Sequence, residues 1–153
     1  MLTVNISMIA LLFWVFYEDI KDRKVTLLLL ISLFAVGGFL NSQHQILELF
    51  LLSSLINLGV IAIITLLLLL YAKLKMKSSL FEVFGLGDLL FFGFMAISFP
   101  TASFLVLFST SLIFSFLISI AFQKQLQKLV PLAGLQALFL GLIIGANLSL
   151  IHI

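Results

Sequence analysis

Two aspartates stand at the edges of apolar segments, and Asp88, which is followed by Leu89-Leu90-Phe91-Phe92, is hard to explain as a loop residue. Asp19 ends one apolar run, and Asp88 lies after a glycine-rich turn at the start of another. A charged group at membrane depth costs about 2.5–3.5 kcal/mol on insertion scales, so it normally faces the interior of a helix bundle. Two carboxyl groups that meet there cannot both ionise easily. One then keeps a proton while the other acts as a base toward water.

Rival chemistries find little support in the sequence. The chain has no Cys, which excludes disulfides, thiolate nucleophiles and Cys-based zinc sites. The two histidines, His44 and His152, are far from both aspartates in the predicted topology, so no Ser-His pair is expected. Paired carboxyls that activate water against a peptide carbonyl, as in aspartic proteases, remain the chemistry that these residues favour.

Simpler interpretations of the same residues stay open. Asp19 also fits a solvated charged loop, since it lies among several charges. Asp88 also fits a hydrogen-bonded structural carboxylate near a helix end. The glycines Gly85 and Gly87 also fit a flexible turn, although a residue without Cβ lets a helix start bend and lets a substrate backbone approach closely.

The composition predicts the elements that position these side chains. Hydrophobic residues make up 63% of the 153 residues, charged residues only 9%, and the mean hydropathy is +1.36. Such a chain is typical of a membrane bundle and not of a soluble or nucleic-acid-binding protein. In lipid, a segment that is not part of a closed β-barrel can satisfy its backbone hydrogen-bonding groups only by forming a helix. We therefore expect an all-α, single-domain bundle over residues 1–153. We expect about six transmembrane helices, one for each apolar run: Leu2 to Tyr17, Val25 to Leu40, Ile46 to Ala72, Val83 to Phe99, Ala102 to Phe122 and Leu129 to Ile153.

The basic residues predict the orientation of this bundle. Every Lys and Arg falls in an alternate break between runs, whereas the breaks at Asn41 to Gln45 and at Pro100-Thr101 have none; the basic residues are Lys21, Arg23, Lys24, Lys73, Lys75, Lys77, Lys124 and Lys128. The positive-inside rule places the basic breaks in the cytoplasm and both termini outside it. The first run lacks a basic region before it and a cleavage pattern after it, so we expect a retained helix. The pairs Gly37-Gly38 and Gly141 with Gly145 favour close contacts between helices of this chain.

The ordered motifs resemble the type IV prepilin peptidases and their archaeal preflagellin relatives, which are Gly-x-Gly-Asp membrane proteases. The stretch from Tyr17 to Val25 is similar to the family's first aspartate segment, Asp-Ile-Lys-x-Arg-x-Ile-Pro-Asn, with Asp19 as the aspartate. The second motif, Glu82-Val83-Phe84-Gly85-Leu86-Gly87-Asp88, resembles the family's second aspartate segment. The stretch from Val130 to Leu135 is similar to the proline-containing start of the family's last helix. The resemblance spans nearly the whole chain.

The resemblance implies an activity and its residues. Asp19 and Asp88 would be the catalytic pair, with Gly85, Gly87, Glu82, Lys21 and Arg23 as motif or supporting residues. The reaction would remove the leader of a pilin-like precursor at the cytoplasmic face of the cytoplasmic membrane, with no metal or organic cofactor. The basic residues would contact lipid or substrate, although topology alone explains them. The chain lacks the region linked to methylation in the larger enzymes, so peptidase activity without methyltransferase activity is expected.

Four residues depart from the family pattern. Thr26-Leu27 replaces the Pro-Asn of the first motif, Leu90 replaces a common Lys, and Gly134 replaces the second proline of the last motif. A catalytically silent scaffold or assembly component is therefore the alternative. A small transporter or channel subunit ranks third, because no midplane charges or broken repeats are seen. The sequence indicates neither the substrate's identity nor the oligomeric state.

Overall fold

The computed structural model describes residues 2–22, 24–71, 73–74, 85–121 and 132–151, and these residues form six α-helices with no strand among them. The prediction of an all-α bundle is confirmed. In chain order the helices are α1 (Leu2–Asp22), α2 (Leu27–His44), α3 (Leu47–Tyr71), α4 (Leu86–Ser98), α5 (Thr101–Ala121) and α6 (Leu132–Ile151).

Four of these helices, α1, α2, α3 and α5, are long and apolar enough to cross a membrane. The helix α4 and the apolar part of α6, Leu132–Leu148, are shorter. Many large apolar side chains point away from the bundle, among them Leu52, Leu55 and Leu67 on α3, each more than half exposed. An apolar exterior of this extent is unsuited to water and is compatible with a multi-pass membrane protein.

The short helix α4 lies at the centre of the bundle. It packs mainly on α2 and α3 and also touches α5 and α6, whereas α1 packs mainly on α6. Aromatic rings pack there: Phe92 of α4 meets Phe108 of α5 edge to face at 5.0 Å between centroids, and within α4 the Phe91 ring lies 5.4 Å from that of Phe94. Burial on nearly all sides explains why the α4 sequence is apolar without a polar face.

Buried amide side chains satisfy the end of α4. Phe99 precedes Pro100, which disfavours helical angles, and its backbone is extended at φ −132° and ψ 144°. The carbonyls left free at this end accept hydrogen bonds from Asn57 Nδ2, which reaches Ala96 O at 2.9 Å and Phe99 O at 3.0 Å. Asn41 Nδ2 donates to Ile97 O at 2.8 Å. A helix of 13 residues, about 20 Å long, thus ends inside the bundle with three of its terminal carbonyls bonded to buried amide side chains.

The observed boundaries correct two expectations. Helix α1 continues through the charged residues to Asp22, five residues beyond the apolar run that ends at Tyr17. The break predicted from Asn41 is wrong over most of its length, because α2 continues to His44 and Asn41 is buried. In both places polar side chains have partners within the bundle, and hydropathy alone does not register such partners. The orientation of the termini stays a prediction.

Gly37 permits the close approach of α2 to α4. A Cβ built at Gly37 would lie 2.7 Å from Phe94 Cε2 and 2.8 Å from Ser98 Cβ, well inside van der Waals contact. We expect Gly37→Ala to lower the melting temperature of the detergent-purified protein by about 3–8 °C, because overpacking a core typically costs about 1–3 kcal/mol. The matched control is Gly59→Ala on α3, where a Cβ meets nothing within 4 Å. Equal melting temperatures of the two variants would show that α2 and α4 do not need this contact.

Candidate active site

Asp19 lies on the buried face of α1. The buried residues of this helix are Met8, Leu12, Val15 and Asp19, which recur at helical spacing and form one stripe. Asp19 Oδ2 accepts a hydrogen bond of 2.6 Å from the backbone N–H of Gly134, at the start of α6. The solvated-loop interpretation is therefore wrong, because Asp19 is helical, buried and bonded across the bundle.

Asp88 lies in the first turn of α4 and is partly buried. Its Oδ2 accepts a 3.3 Å hydrogen bond from the N–H of Gly85, the residue that caps its own helix. Its Oδ1 accepts a 2.7 Å hydrogen bond from the N–H of Ala133 on α6. Asp88 thus has the structural role of satisfying a helix start, and the same carboxylate also joins α4 to α6.

The start of α6 brings the two carboxylates together. Ala133 and Gly134 are consecutive residues in the first turn of α6, and each donates its N–H to a different aspartate. The first N–H groups of a helix have no partner within the helix, and the helix dipole favours negative charge there. Because the two donors are neighbours in the chain, the carboxyl groups that accept from them lie at the same end of the bundle and near one another. Such a pair is suited to holding one proton between two carboxyls.

Gly134 is required for this approach. A Cβ at Gly134 would lie 2.9 Å from both Asp19 Cβ and Asp19 Oδ2, closer than real Cβ atoms come to their neighbours. The absence of a side chain at this residue therefore lets α1 and α6 approach until the Asp19 carboxylate reaches the α6 amide. Sequence reasoning placed Gly134 only as a departure from a proline, and its contact with Asp19 was not foreseen.

The glycines of the second motif have a modest structural role. Gly85 caps α4 with φ −67° and ψ 143°, angles that any residue adopts. A Cβ there would lie 3.1 Å from Asp88 Oδ2, so a larger residue would press on the carboxylate. A Cβ at Gly87 would meet Val25 at 3.8 Å, an ordinary contact. Gly85 is therefore the more constrained of the two.

Of the charged residues predicted to support the site, the structure describes Lys21. Lys21 is exposed, and its ammonium group lies 5.4 Å from the centre of the Tyr17 ring, a cation–π contact. Arg23 and Glu82 lie outside the described residues. The structure thus joins Asp19 with Asp88 and shows Lys21 facing an aromatic ring at the same end of the bundle.

Glu18 is a supporting residue that the sequence did not single out. Its Oε2 accepts a 2.9 Å hydrogen bond from the N–H of Thr26, the residue that caps α2, and its Oε1 accepts one of 3.2 Å from Trp14 Nε1. These bonds fix the start of α2 beside the end of α1, one residue away from Asp19. The spacing of residues in the sequence does not predict this role of Glu18. The acceptor, Glu18, and the donor, the backbone N–H of Thr26, lie on opposite sides of the turn between α1 and α2.

Comparisons of the chain with protein-family models, with characterised proteins and with solved structures found no match.

Proposed function

We propose that this chain is an aspartyl endopeptidase of the cytoplasmic membrane that removes the leader from type IV pilin-like precursors, without methyltransferase activity. The observation that supports this most is the meeting of Asp19 and Asp88 on consecutive amides of α6. Asp19 and Asp88 lie on helices that are far apart in the chain, and a charged group inside an apolar bundle is costly unless it has partners. The meeting of two such groups at one place therefore favours a use for the pair.

The proposed mechanism uses the pair as one unit. One carboxylate takes a proton from a water molecule, and the water oxygen attacks the scissile peptide carbonyl. The protonated partner gives its proton to the carbonyl oxygen, which yields a tetrahedral intermediate with two hydroxyl groups. The C–N bond then breaks as the leaving amine takes a proton from the pair and one hydroxyl of the intermediate returns a proton to the pair, which restores its starting state. The proton belongs to the dyad, so neither aspartate is assigned a fixed role.

Charge supports a cytoplasmic location for the reaction. Lys21 and Lys24 are exposed at the end of the bundle where the aspartates lie. Under the positive-inside rule this end faces the cytoplasm. A precursor with a short, positively charged leader and an apolar helix in the membrane would present its cleavage site at this depth.

Two of the four departures from the family motifs are compatible with a working site. Thr26 and Gly134 both stand where the family has proline, and both donate a backbone N–H that proline lacks, to Glu18 and to Asp19 respectively. Each replacement therefore adds a hydrogen bond to a carboxylate of α1. These bonds hold the carboxylates of α1 in place and therefore favour a functional site over an inactive one.

The silent-scaffold alternative has one observation in its favour. Both aspartates already hold helices together through their bonds to α6, and Asp88 also satisfies the start of α4. In a scaffold the carboxyl groups would have only this structural role. The two functions differ in whether the negative charge is needed once the fold has formed.

Co-expression with a panel of pilin-like precursors tests the proposal. We expect at least one precursor to be shortened by the length of its leader in membranes that contain the chain, as seen by gel mobility and amino-terminal sequencing of the product. Membranes with the Asp19→Asn, Asp88→Asn double variant at equal expression are the control. Equal processing in both membranes would contradict the proposal.

A further inference from the structure

An apolar cavity of about 370 Å³ lies between α3, α4, α5 and α6. Its floor is formed by the rings of Phe92 and Phe108, which are 2% and 3% exposed. Its mouth is formed by Leu68 on α3 and Phe116 on α5, which are 38% and 65% exposed. The cavity therefore opens sideways, on the apolar exterior that suits membrane lipid. The described residues that line it are Ile64, Leu68, Phe92, Phe108, Leu112, Phe116, Ser119 and Leu132.

Water is a poor occupant of this cavity. Ser119 has the only polar side chain among the described lining residues, and its hydroxyl already donates to Ser115 O at 2.6 Å. A buried water typically needs two to four polar partners, and an engineered apolar cavity of about 150 Å³ stays dry and binds benzene instead. Protein interiors seldom leave such a space empty, because the atoms around it lose dispersion contacts. An apolar occupant is therefore favoured.

The shape of the cavity favours a single hydrocarbon chain. Phe108, Leu112, Phe116 and Ser119 recur at helical spacing and form one stripe along α5, so the lining extends for about 16 Å. A helix with its side chains is about 10–12 Å across, and a piece of this length fills about 1,300–1,800 Å³. The cavity has less than a third of that volume, so it does not admit a helix of a substrate or of a second copy. A lipid acyl chain is thin enough, and the bilayer supplies it.

The charge beside the mouth favours an anionic lipid. Leu68 lies three residues before the end of α3, and Lys73 follows that end by two residues and is exposed. Lys21 and Lys24 are exposed at the same end of the bundle. Basic residues at such a boundary attract the phosphates of anionic lipids. A phosphate bound at Lys73 leaves the acyl chains of its lipid near the level of the cavity mouth.

We propose that this cavity is a site for an anionic phospholipid, with one acyl chain between α3 and α5 and the phosphate bound by Lys73. The inference does not depend on the proposed function. The acyl chain packs against Phe92, one turn after Asp88 on α4, and against Leu132, whose neighbour Ala133 donates to Asp88 Oδ1. The lipid therefore supports the contact of α4 with α6 beside the aspartate pair.

A phosphatidylglycerol with a photoreactive diazirine at the end of one acyl chain tests the site in vesicles that contain the whole chain. Lipid around the bundle reaches outer residues such as Leu67, which is 61% exposed, but reaches the floor residues Phe92 and Phe108 only through the cavity. We expect mass spectrometry to find crosslinks at the floor as well as on the outer surface. Crosslinks confined to the outer surface would overturn the inference.

Filling the cavity should remove the floor crosslinks. We expect Leu112→Trp, which adds volume inside the cavity, to reduce them to background while the crosslinks at Leu67 remain. The matched control is Ile113→Trp, the next residue of α5, which is 59% exposed and should retain them. If Leu112→Trp does not fold, Ile64→Phe fills the cavity from α3 and tests the same point. Floor crosslinks in a folded, filled variant equal to those of the wild type would contradict the site.

The head group is tested by Lys73→Gln. We expect the floor crosslinks to fall about fivefold, since one basic residue near the membrane surface contributes about that factor in affinity for an anionic lipid. Lys24→Gln is the control, because it removes an exposed charge at the same end of the bundle, beside α2 and away from the cavity mouth, and should leave the floor crosslinks unchanged. Equal floor crosslinking by a phosphatidylcholine probe would overturn the assignment of an anionic lipid.

Discussion

Asp19→Asn and Asp88→Asn are each expected to reduce precursor cleavage by at least about 10³-fold, because an amide neither accepts nor returns the proton that the reaction moves. Asparagine keeps the shape of the side chain and one acceptor oxygen for the α6 amide. The substitution therefore tests charge more than packing. For Asp88→Asn a small loss of melting temperature is also expected, since one of its two oxygens is replaced by a donor that faces the Gly85 N–H.

The controls separate catalysis from folding. Asp22→Asn changes an exposed carboxyl at the end of the same helix and should leave cleavage unchanged. The double variant should be no slower than either single variant, because residues that act as a unit are not additive. Normal cleavage in either single variant would contradict the dyad. Loss of cleavage together with loss of the folded protein would show that the bonds to α6 matter more than the chemistry.

Gly134→Ala is expected to give the second largest effect, a loss of about 10²-fold in cleavage in a protein that still inserts and folds. The new Cβ would stand 2.9 Å from Asp19 Oδ2 and Cβ, so α1 and α6 must separate or the Asp19 carboxylate must turn away from the amide. A misplacement of about 1 Å at a reacting group is enough for a loss of this size. Cleavage kinetics on membranes with equal amounts of enzyme measure it.

Gly145→Ala is the matched control for this change. It lies on the same helix, and a Cβ there meets nothing within 4 Å. Both variants gain the same helix propensity, so a difference between them reports the contact with Asp19. If Gly134→Ala and Gly145→Ala cleave equally fast, the separation of α1 and α6 is not critical and the site tolerates a looser geometry.

Much of the fold was predictable because apolar segments in lipid have few structural options. The six runs correspond to the six helices, and the main errors lie where polar residues continue a helix, as at Asp19 in α1 and Asn41 in α2. Hydropathy treats such residues as breaks, whereas the folded chain gives them partners on other helices. Of the predicted glycine contacts, Gly37 meets α4 and Gly141 meets α1, but a Cβ at Gly145 would stand in open space.

The candidate site was predictable in its acids and not in what joins them. Asp19 and Asp88 were identified from their types and positions. The groups that bring them together are the adjacent backbone N–H groups of Ala133, which bonds Asp88, and Gly134, which bonds Asp19, and a backbone N–H has no signature in residue type. Asn57 was likewise missed, because one amide in a long apolar run gives no spacing pattern. Its role appears only when the end of α4 lies beside it.

The position of α6 in the chain has a consequence for biosynthesis. During synthesis α1 and α4 enter the membrane first, and both aspartates are then present without the amides on which they meet. The pair is complete only after the last helix has inserted and docked between them. Under the proposed function a nascent chain is therefore inert, and the aspartate pair is completed in one late step, when α6 docks against α1 and α4.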